Sequence, residues 1–330
     1  MLAAPLISHR LLRRAIGALC CTLLPAAISA QAAQQPPADW GPVSINLEDV
    51  PYPYPVSFLP LTMYGESVRM AYMDVKPTGT ANGQTVVLFH GYNFFAEYWG
   101  GTIAALTKEG FRVIAVDQIG FGRSSKPLIQ YTLNDMAANT RRLLQELGVQ
   151  RAAIVGHSMG GMLASRFAFV YPELTSHVAM VNQIGLADSR AGRAPRYAGD
   201  VGGQPGPANY AAIRRNMERY FVTWDPKYEK YIRIHYGWSL SGDWPRFSAV
   251  RASLQQIIQW ETVVYDWPHI KSKALVIGGA NDTPQYAEQA RRVSQSIPGA
   301  QLELIPNIGH NPHLESPDIF HPKLIAFLKS

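Results

Sequence analysis

From residue 85 onward, short and wholly apolar runs alternate with longer stretches in which apolar residues recur every three or four positions. The apolar runs are Thr85–Phe89, Val113–Val116, Ala152–Val155, Val178–Val181 and Ala274–Ile277. None shows polar alternation, so each reads as a strand covered on both faces. Between them lie helical patterns. One carries Trp99, Ile103, Ala104 and Leu106 and is closed by Gly110, and an amphipathic one runs from Leu133 to Leu147 and stops at Gly148. Another runs from about Met159 to Tyr171, and after a further strand at Leu302–Ile305 the chain ends in a helix over Ile319–Leu328. Strand and helix alternating in this way predict an α/β fold built on a mostly parallel sheet flanked by helices. In such sheets ligands bind beyond the carboxyl ends of the strands. His90, Asp117, Ser158 and Asn182 all fall at such ends.

Two regions depart from this rhythm. Ser57–Leu61 and Val68–Val75 read as a hairpin turning at Gly65-Glu66, preceded by a Pro-rich extension over 34–56 that reads as extended chain. From 186 to 262 the alternation stops. Ala191–Asn209 is rich in Gly and Pro, and helical stretches dense in aromatic residues follow. This segment is predicted to be a cap, or lid, inserted after a core strand. The core is then split into 57–185 and 263–330.

Composition changes the picture mainly at the N-terminus. The chain of 330 residues is 47% apolar and 16% charged, which supplies ample core. Residues 1–33 stand apart. Arg10, Arg13 and Arg14 precede an apolar run, Ala15–Ile28, and small residues around Ala30 and Ala32 offer cleavage sites. This is the pattern of a secretory signal peptide, and it predicts a periplasmic or secreted protein with no stable membrane anchor after cleavage. Arg13-Arg14 resembles a twin-arginine signal. Cys20 and Cys21 both lie in this segment, so a mature chain would hold no disulfide, thiol nucleophile or Cys-ligated metal. Cleavage removes three arginines and no acidic residue, taking the formal charge from +6 to +3, which leaves no case for nucleic-acid binding.

The chemistry centres on Gly156-His157-Ser158-Met159-Gly160-Gly161, where an apolar run meets a helical pattern. A strand, a tight turn and a helix would hold Ser158 at the apex, with Gly156 and Gly160 avoiding collisions two residues to either side. The pattern G-x-S-x-G arises by chance in about one chain in ten of this length, so the rest of the chain must decide. A serine hydroxyl needs a base, and the base needs a group that fixes its tautomer. After strand Ala274–Ile277 comes Asp282, and after strand Leu302–Ile305 comes His310. The order Ser, Asp, His is that of a triad built on such a sheet. His313 competes for the role of base, and Asn182 and Asp188 compete for that of the acid. An oxyanion would be held by the backbone N–H groups of Met159 and Tyr92, with Gly91 permitting close approach. His90 and Asp117 read as loop-shaping residues. No Gly-rich phosphate loop or metal-ligand cluster is visible, so no cofactor is implied.

His90-Gly91, Asp117-x-x-Gly120-x-Gly122-x-Ser124, the Ser158 motif, Gly279-x-x-Asp282 and Gly309-His310 together resemble the α/β-hydrolase superfamily. The branch is the one with a helical cap that holds esterases, C–C hydrolases, haloalkane dehalogenases and epoxide hydrolases. The resemblance implies an α/β-hydrolase fold over 57–185 and 263–330. Dehalogenase and epoxide-hydrolase members carry aspartate at the elbow, and Ser158 disfavours their chemistry. The leading expectation is hydrolysis of a carboxylic ester or lactone through an acyl-enzyme. The alternatives are hydrolytic C–C cleavage with the same triad, or a hydrolase fold retained to bind a small ligand. The cap holds four of the seven tryptophans (Trp224, Trp238, Trp244, Trp260), and its eleven basic residues against seven acidic ones give a formal +4. These features predict an apolar or aromatic small-molecule substrate, with a carboxylate as an added possibility.

Overall fold

The computed structural model describes residues 35–188, 190–191 and 206–330. The leader-like segment 1–33 and most of the Gly/Pro-rich start of the cap, 192–205, lie outside the described residues. The fold is that of the unit Trp40–Ser330.

Eight strands form one sheet: β1 Val56–Met63, β2 Glu66–Val75, β3 Thr85–Phe89, β4 Arg112–Val116, β5 Ala152–His157, β6 Thr175–Val181, β7 Lys273–Gly279 and β8 Gln301–Ile305. Their spatial order is β1-β2-β4-β3-β5-β6-β7-β8. β2 pairs antiparallel with β1 and β4, and every other pairing is parallel. β5 is buried along its whole length, as its unbroken apolar run requires. The order reverses around β3, so the loops after β3 and β5 diverge and leave a crevice at their carboxyl ends.

The hairpin turns one residue earlier than expected. Met63 pairs with Glu66, so Tyr64 and Gly65 form the turn. Both have positive φ, 52° and 82°. That is the backbone a two-residue connection needs to match the twist of the strands it joins, and Glu66 starts β2.

The segment before β1 does more than lead into the fold. Val43, Ile45 and Leu47 are buried in the core. Val43 N–H donates to the Gly237 carbonyl at 3.1 Å, and Trp238 Nε1 donates to the Ser44 carbonyl at 3.1 Å. This strap therefore packs against a cap helix.

After β6 the described residues of the cap include the helices Tyr210–Glu218, Glu229–Ser239 and Trp244–Trp260. Asn209 caps the first, its side chain accepting from Ala212 N–H at 2.9 Å. Among the described residues no helix is long and apolar enough to cross a membrane.

Candidate active site

Ser158 stands between β5 and the helix Met159–Val170, with φ 56° and ψ −119°. For a residue with a side chain this conformation costs about 1–3 kcal/mol and persists only when its surroundings enforce it. Here the glycines do so. A methyl group at Gly156 would strike the Gly160 carbonyl, and one at Gly160 would strike the carbonyls of Phe89 and His90. A methyl group at Gly161 would come within 2.8 Å of Gln183 Cβ. The turn therefore requires bare backbone on both sides of the serine. Ser158 is 7% exposed and lines a cavity of about 840 Å³.

Asp282 and His310 line the same cavity. His310 Nδ1 lies 2.7 Å from Asp282 Oδ2, so Nδ1 carries the proton and Nε2 is left as the basic atom. Neither Ser158 Oγ nor His310 Nε2 has a hydrogen-bond partner among the described residues. Asn182, considered above for the acid position, instead supports Asp282. Its Nδ2 donates to Asp282 Oδ2 at 2.9 Å, while its Oδ1 accepts from Gly279 N–H at 2.9 Å. Asp188 is paired with Arg190 at 2.7 Å, and those hydrogen bonds hold its carboxyl well below the usual range. His313 lies behind the site, packed on Trp99, Tyr98 and His157. Burial pushes its pKa far down, helped by His321 and His310, and both its ring nitrogens lack partners. It does not line the cavity.

The loop carrying His310 is fixed from two directions. His310 N–H donates to the Tyr220 carbonyl at 2.8 Å, and the Tyr220 ring stacks on the imidazole at 4.9 Å. The Glu315 carboxylate accepts from the N–H groups of Gly309 and Asn311, and from Val222 in the cap.

The N–H groups of Tyr92 and Met159 donate to no group among the described residues. Met159 begins its helix, where an N–H has no partner within the helix and the dipole favours negative charge. Beside Tyr92, Gly91 N–H donates to Tyr98 Oη at 3.1 Å. Tyr98 Oη lies 3.0 Å from His157 Nδ1, and His157 Nε2 lies 2.8 Å from the His310 carbonyl. With Nε2 donating to that carbonyl, Nδ1 accepts from the tyrosine hydroxyl. A single chain of hydrogen bonds thus links the Gly91 loop, the residue before Ser158, and His310. Burial holds the His157 imidazole well below the ordinary pKa, and the neighbouring histidines lower it further. Sequence reasoning missed Tyr98 and His157, since spacing carries no trace of a contact between a strand end and a helical turn about 60 residues away.

His90 and Asp117 shape loops. Gln118 N–H donates to His90 Nε2 at 3.1 Å, and His90 Nδ1 faces the Gly91 carbonyl at 2.9 Å. Asp117 accepts from Ala96 N–H, Arg123 N–H and the Tyr52 hydroxyl. Gly122 is bare because a methyl group there would overlap that carboxylate.

The outer wall of the cavity comes from the cap, through Met217, Tyr220, His235, Trp238, Trp244 and Arg251 among others. Among the described residues no group of three or more His, Cys, Asp or Glu is placed to hold a metal ion.

The family model for the alpha/beta hydrolase fold matches residues 84–317. The crystal structure of a protein described as a probable hydrolytic enzyme from Pseudomonas aeruginosa PAO1 superposes with a TM-score of 0.82 at 35% identity. It covers 88% of this chain and 99% of the other. The enol-lactonase from Burkholderia xenovorans LB400 superposes with a TM-score of 0.63 at 22% identity, over 82% of this chain and 100% of its own, a likeness of fold alone. In sequence, a Caulobacter sp. (strain K31) protein with the provisional name carbamate hydrolase RutD is 25% identical over 267 residues, 81% of this chain and 98% of its own length. With its eight-stranded sheet, its serine elbow and a family match over most of its length, the chain belongs to the alpha/beta hydrolase fold family and is a hydrolase of that fold.

Proposed function

We propose that the protein hydrolyses a carboxylic ester or lactone through an acyl-enzyme. The observation that carries this reading is the 2.7 Å His310–Asp282 pair lining the same cavity as Ser158, whose backbone is strained at the start of a helix. Ser158 Oγ attacks the carbonyl carbon as His310 Nε2 takes its proton. Asp282 holds the imidazole in the tautomer with Nδ1 protonated and stabilises the imidazolium that forms. The developing oxyanion is met by the N–H groups of Tyr92 and Met159. His310 then gives its proton to the leaving alkoxide, and water, activated by the same imidazole, releases the acid and restores Ser158. The resident groups supply every proton transfer. The substrate body is apolar or aromatic, in keeping with Met217, Trp238 and Trp244 in the cavity wall. The leader-like sequence of residues 1–33 supports action in the periplasm or outside the cell.

The test is labelling with a fluorophosphonate, followed by turnover of p-nitrophenyl esters of graded chain length, a lactone and a p-nitrophenyl carbamate. Label on Ser158 and turnover of an ester or lactone support the proposal. An unlabelled serine with no turnover overturns it, and a preference for the carbamate moves the activity toward the name borne by the Caulobacter relative.

A further inference from the structure

We infer that Arg251 forms a carboxylate-binding subsite beside the oxyanion donors, so that the preferred substrate is an ester or lactone bearing a carboxylate. This rests on the ester-hydrolase reading above and adds to it the class of substrate.

Among the described residues the cavity wall holds two permanent cations, Arg219 and Arg251, and one carboxylate, Asp282. Asp282 is already engaged by His310 and Asn182. Three of the other cap arginines are neutralised by carboxylates of the cap itself. Arg214 pairs with Glu218 and Glu229, Arg246 with Asp243, and Arg190 with Asp188. Among the described residues Arg215, Arg219, Arg233 and Arg251 show no such pair, and of these Arg251 is the one that both lines the cavity and is half-buried. Among the described residues no carboxylate lies within salt-bridge distance of it. Its Nη2 donates to Asn93 Oδ1 at 3.1 Å, and its guanidinium carbon lies 4.9 Å from the centre of the Tyr92 ring and 5.5 Å from that of Trp238. A half-buried guanidinium held between two rings is fixed in orientation and partly stripped of water. Without a counter-ion that desolvation is offset only by the Asn93 hydrogen bond and the two rings, and a ligand carboxylate would add two parallel charge-assisted hydrogen bonds.

The surroundings offer no substitute anion. Of its titratable neighbours, Tyr92 is held protonated by burial, and His235 is pushed down to about 3 by burial and the Arg251 charge together. It is neutral, and its Nε2 donates to the Asn93 carbonyl at 2.9 Å. The rest of the contact is a brace. The Tyr92 hydroxyl donates to the Arg251 carbonyl at 2.7 Å, and Asn93 Nδ2 donates to the Tyr220 hydroxyl at 2.8 Å. Arg251 is therefore tied to the residue whose N–H is assigned to the oxyanion. A carboxylate bound there sits on the cap side of the scissile carbonyl.

The experiment compares esters in matched pairs. One pair places the carboxylate on the acyl side, as monomethyl adipate against methyl hexanoate. The other places it on the leaving group, as 4-acetoxybenzoate against phenyl acetate. The wild-type protein is expected to favour the charged member of at least one pair by about tenfold or more in kcat/KM, the scale of one charge-assisted contact. That advantage should shrink as salt rises. Arg251→Gln should abolish the preference, and Arg251→Lys, which keeps the charge and loses the fork, should retain part of it. Arg219→Gln, at the exposed cavity arginine, should change it less. The same order is expected for calorimetric binding of monomethyl adipate and 4-acetoxybenzoate to Ser158→Ala protein, which reads the subsite without turnover. Melting curves establish that each variant folds, and the salt dependence and the lysine variant still decide if Arg251→Gln does not. Equal rates within both pairs, or a preference that survives Arg251→Gln, overturn the subsite and leave the esterase standing. Absence of any turnover or serine labelling counts against the esterase instead, and the binding series then decides the subsite alone.

Discussion

The strand-end loops and the cap wall enclose the same cavity but are built on different principles. At the strand ends, backbone geometry does the positioning. Ser158 sits at φ 56° in a turn tight enough to need bare backbone at Gly156 and Gly160, and Asp282 and His310 each follow a parallel strand by a few residues. In the cap, side chains do it. Tyr220 stacks on His310, Arg251 lies between Tyr92 and Trp238, and Trp238 reaches back to the strap at Ser44. Backbone constraints demand particular residues at fixed spacing. Packing constraints demand only residues of suitable size and polarity, so one cap can be exchanged for another while the chemistry stays put.

That contrast predicts a steep gradient of mutational effects. The largest belongs to the nucleophile. Ser158→Ala should lower kcat by about 10⁴ or more with the melting temperature little changed, since no side chain depends on its hydroxyl. Substantial residual hydrolysis would remove Ser158 from the mechanism. Next comes the acid. Asp282→Asn should cost about 10³–10⁴ in kcat by favouring the wrong tautomer of His310. Asn182→Ala, which takes away one support of Asp282, should cost only about tenfold, the scale of one hydrogen bond to a charged group. If the order reversed, the functional acid would belong to the end of β6.

The same division explains what the sequence made legible. The sheet could be read because five apolar runs without polar alternation have few other uses. The elbow could be read because its glycines are obligatory, and Asp282 and His310 because strand ends locate them. The hairpin turn was displaced by one residue, since Tyr64 takes a positive φ that its side chain does not advertise. Asn182 carried the right position but could be assigned as acid or as support only once its amide was seen to donate to Asp282. The contact of Tyr98 with His157 and that of Glu315 with Val222 were beyond reach, because these contacts join segments whose separation leaves no periodic mark. Composition foresaw aromatic and basic residues in the cap. It could not foresee which of those arginines would face the cavity without a carboxylate partner, as Arg251 does among the described residues.

Tyr98 tests whether the supports of the core site matter to its chemistry. Its hydroxyl accepts from Gly91 N–H and contacts His157 Nδ1, both deeply buried. Tyr98→Phe keeps the ring stacked on Phe94 and removes only that oxygen. The loss of two buried partners should destabilise the fold by about 1–3 kcal/mol. Because the chain of bonds ends on the Gly91 loop and on His310, kcat should also fall by about three- to tenfold with KM nearly constant. A drop in melting temperature with kcat unchanged would make Tyr98 structural alone.

The smallest effect asks whether cap and core unfold together. His313 in the core and His235 in the cap are both buried and neutral, with pKa values pushed down mainly by burial, His235 to about 3. In the unfolded chain each titrates near 6.5. Below that pH the unfolded chain binds a proton that the folded chain refuses. The stability these residues confer is therefore complete above about 6.5 and is lost as pH falls, for His235 over the window down to about 3. Each contributes at most about 1.4 kcal/mol per pH unit to that acid slope. His313→Phe, which places an apolar ring among Trp99, Tyr98 and Phe320, should remove one such share from the fall in stability between pH 7 and pH 5. His235→Gln, which keeps a donor for the Asn93 carbonyl, should remove an equal share if the cap melts with the core. The bonds between them favour that outcome: Val43 to Gly237, Trp238 to Ser44, His310 to Tyr220 and Tyr92 to Arg251. An acid slope that responds to His313→Phe and ignores His235→Gln would mean that the cap opens before the sheet does, leaving the substrate wall with a stability of its own.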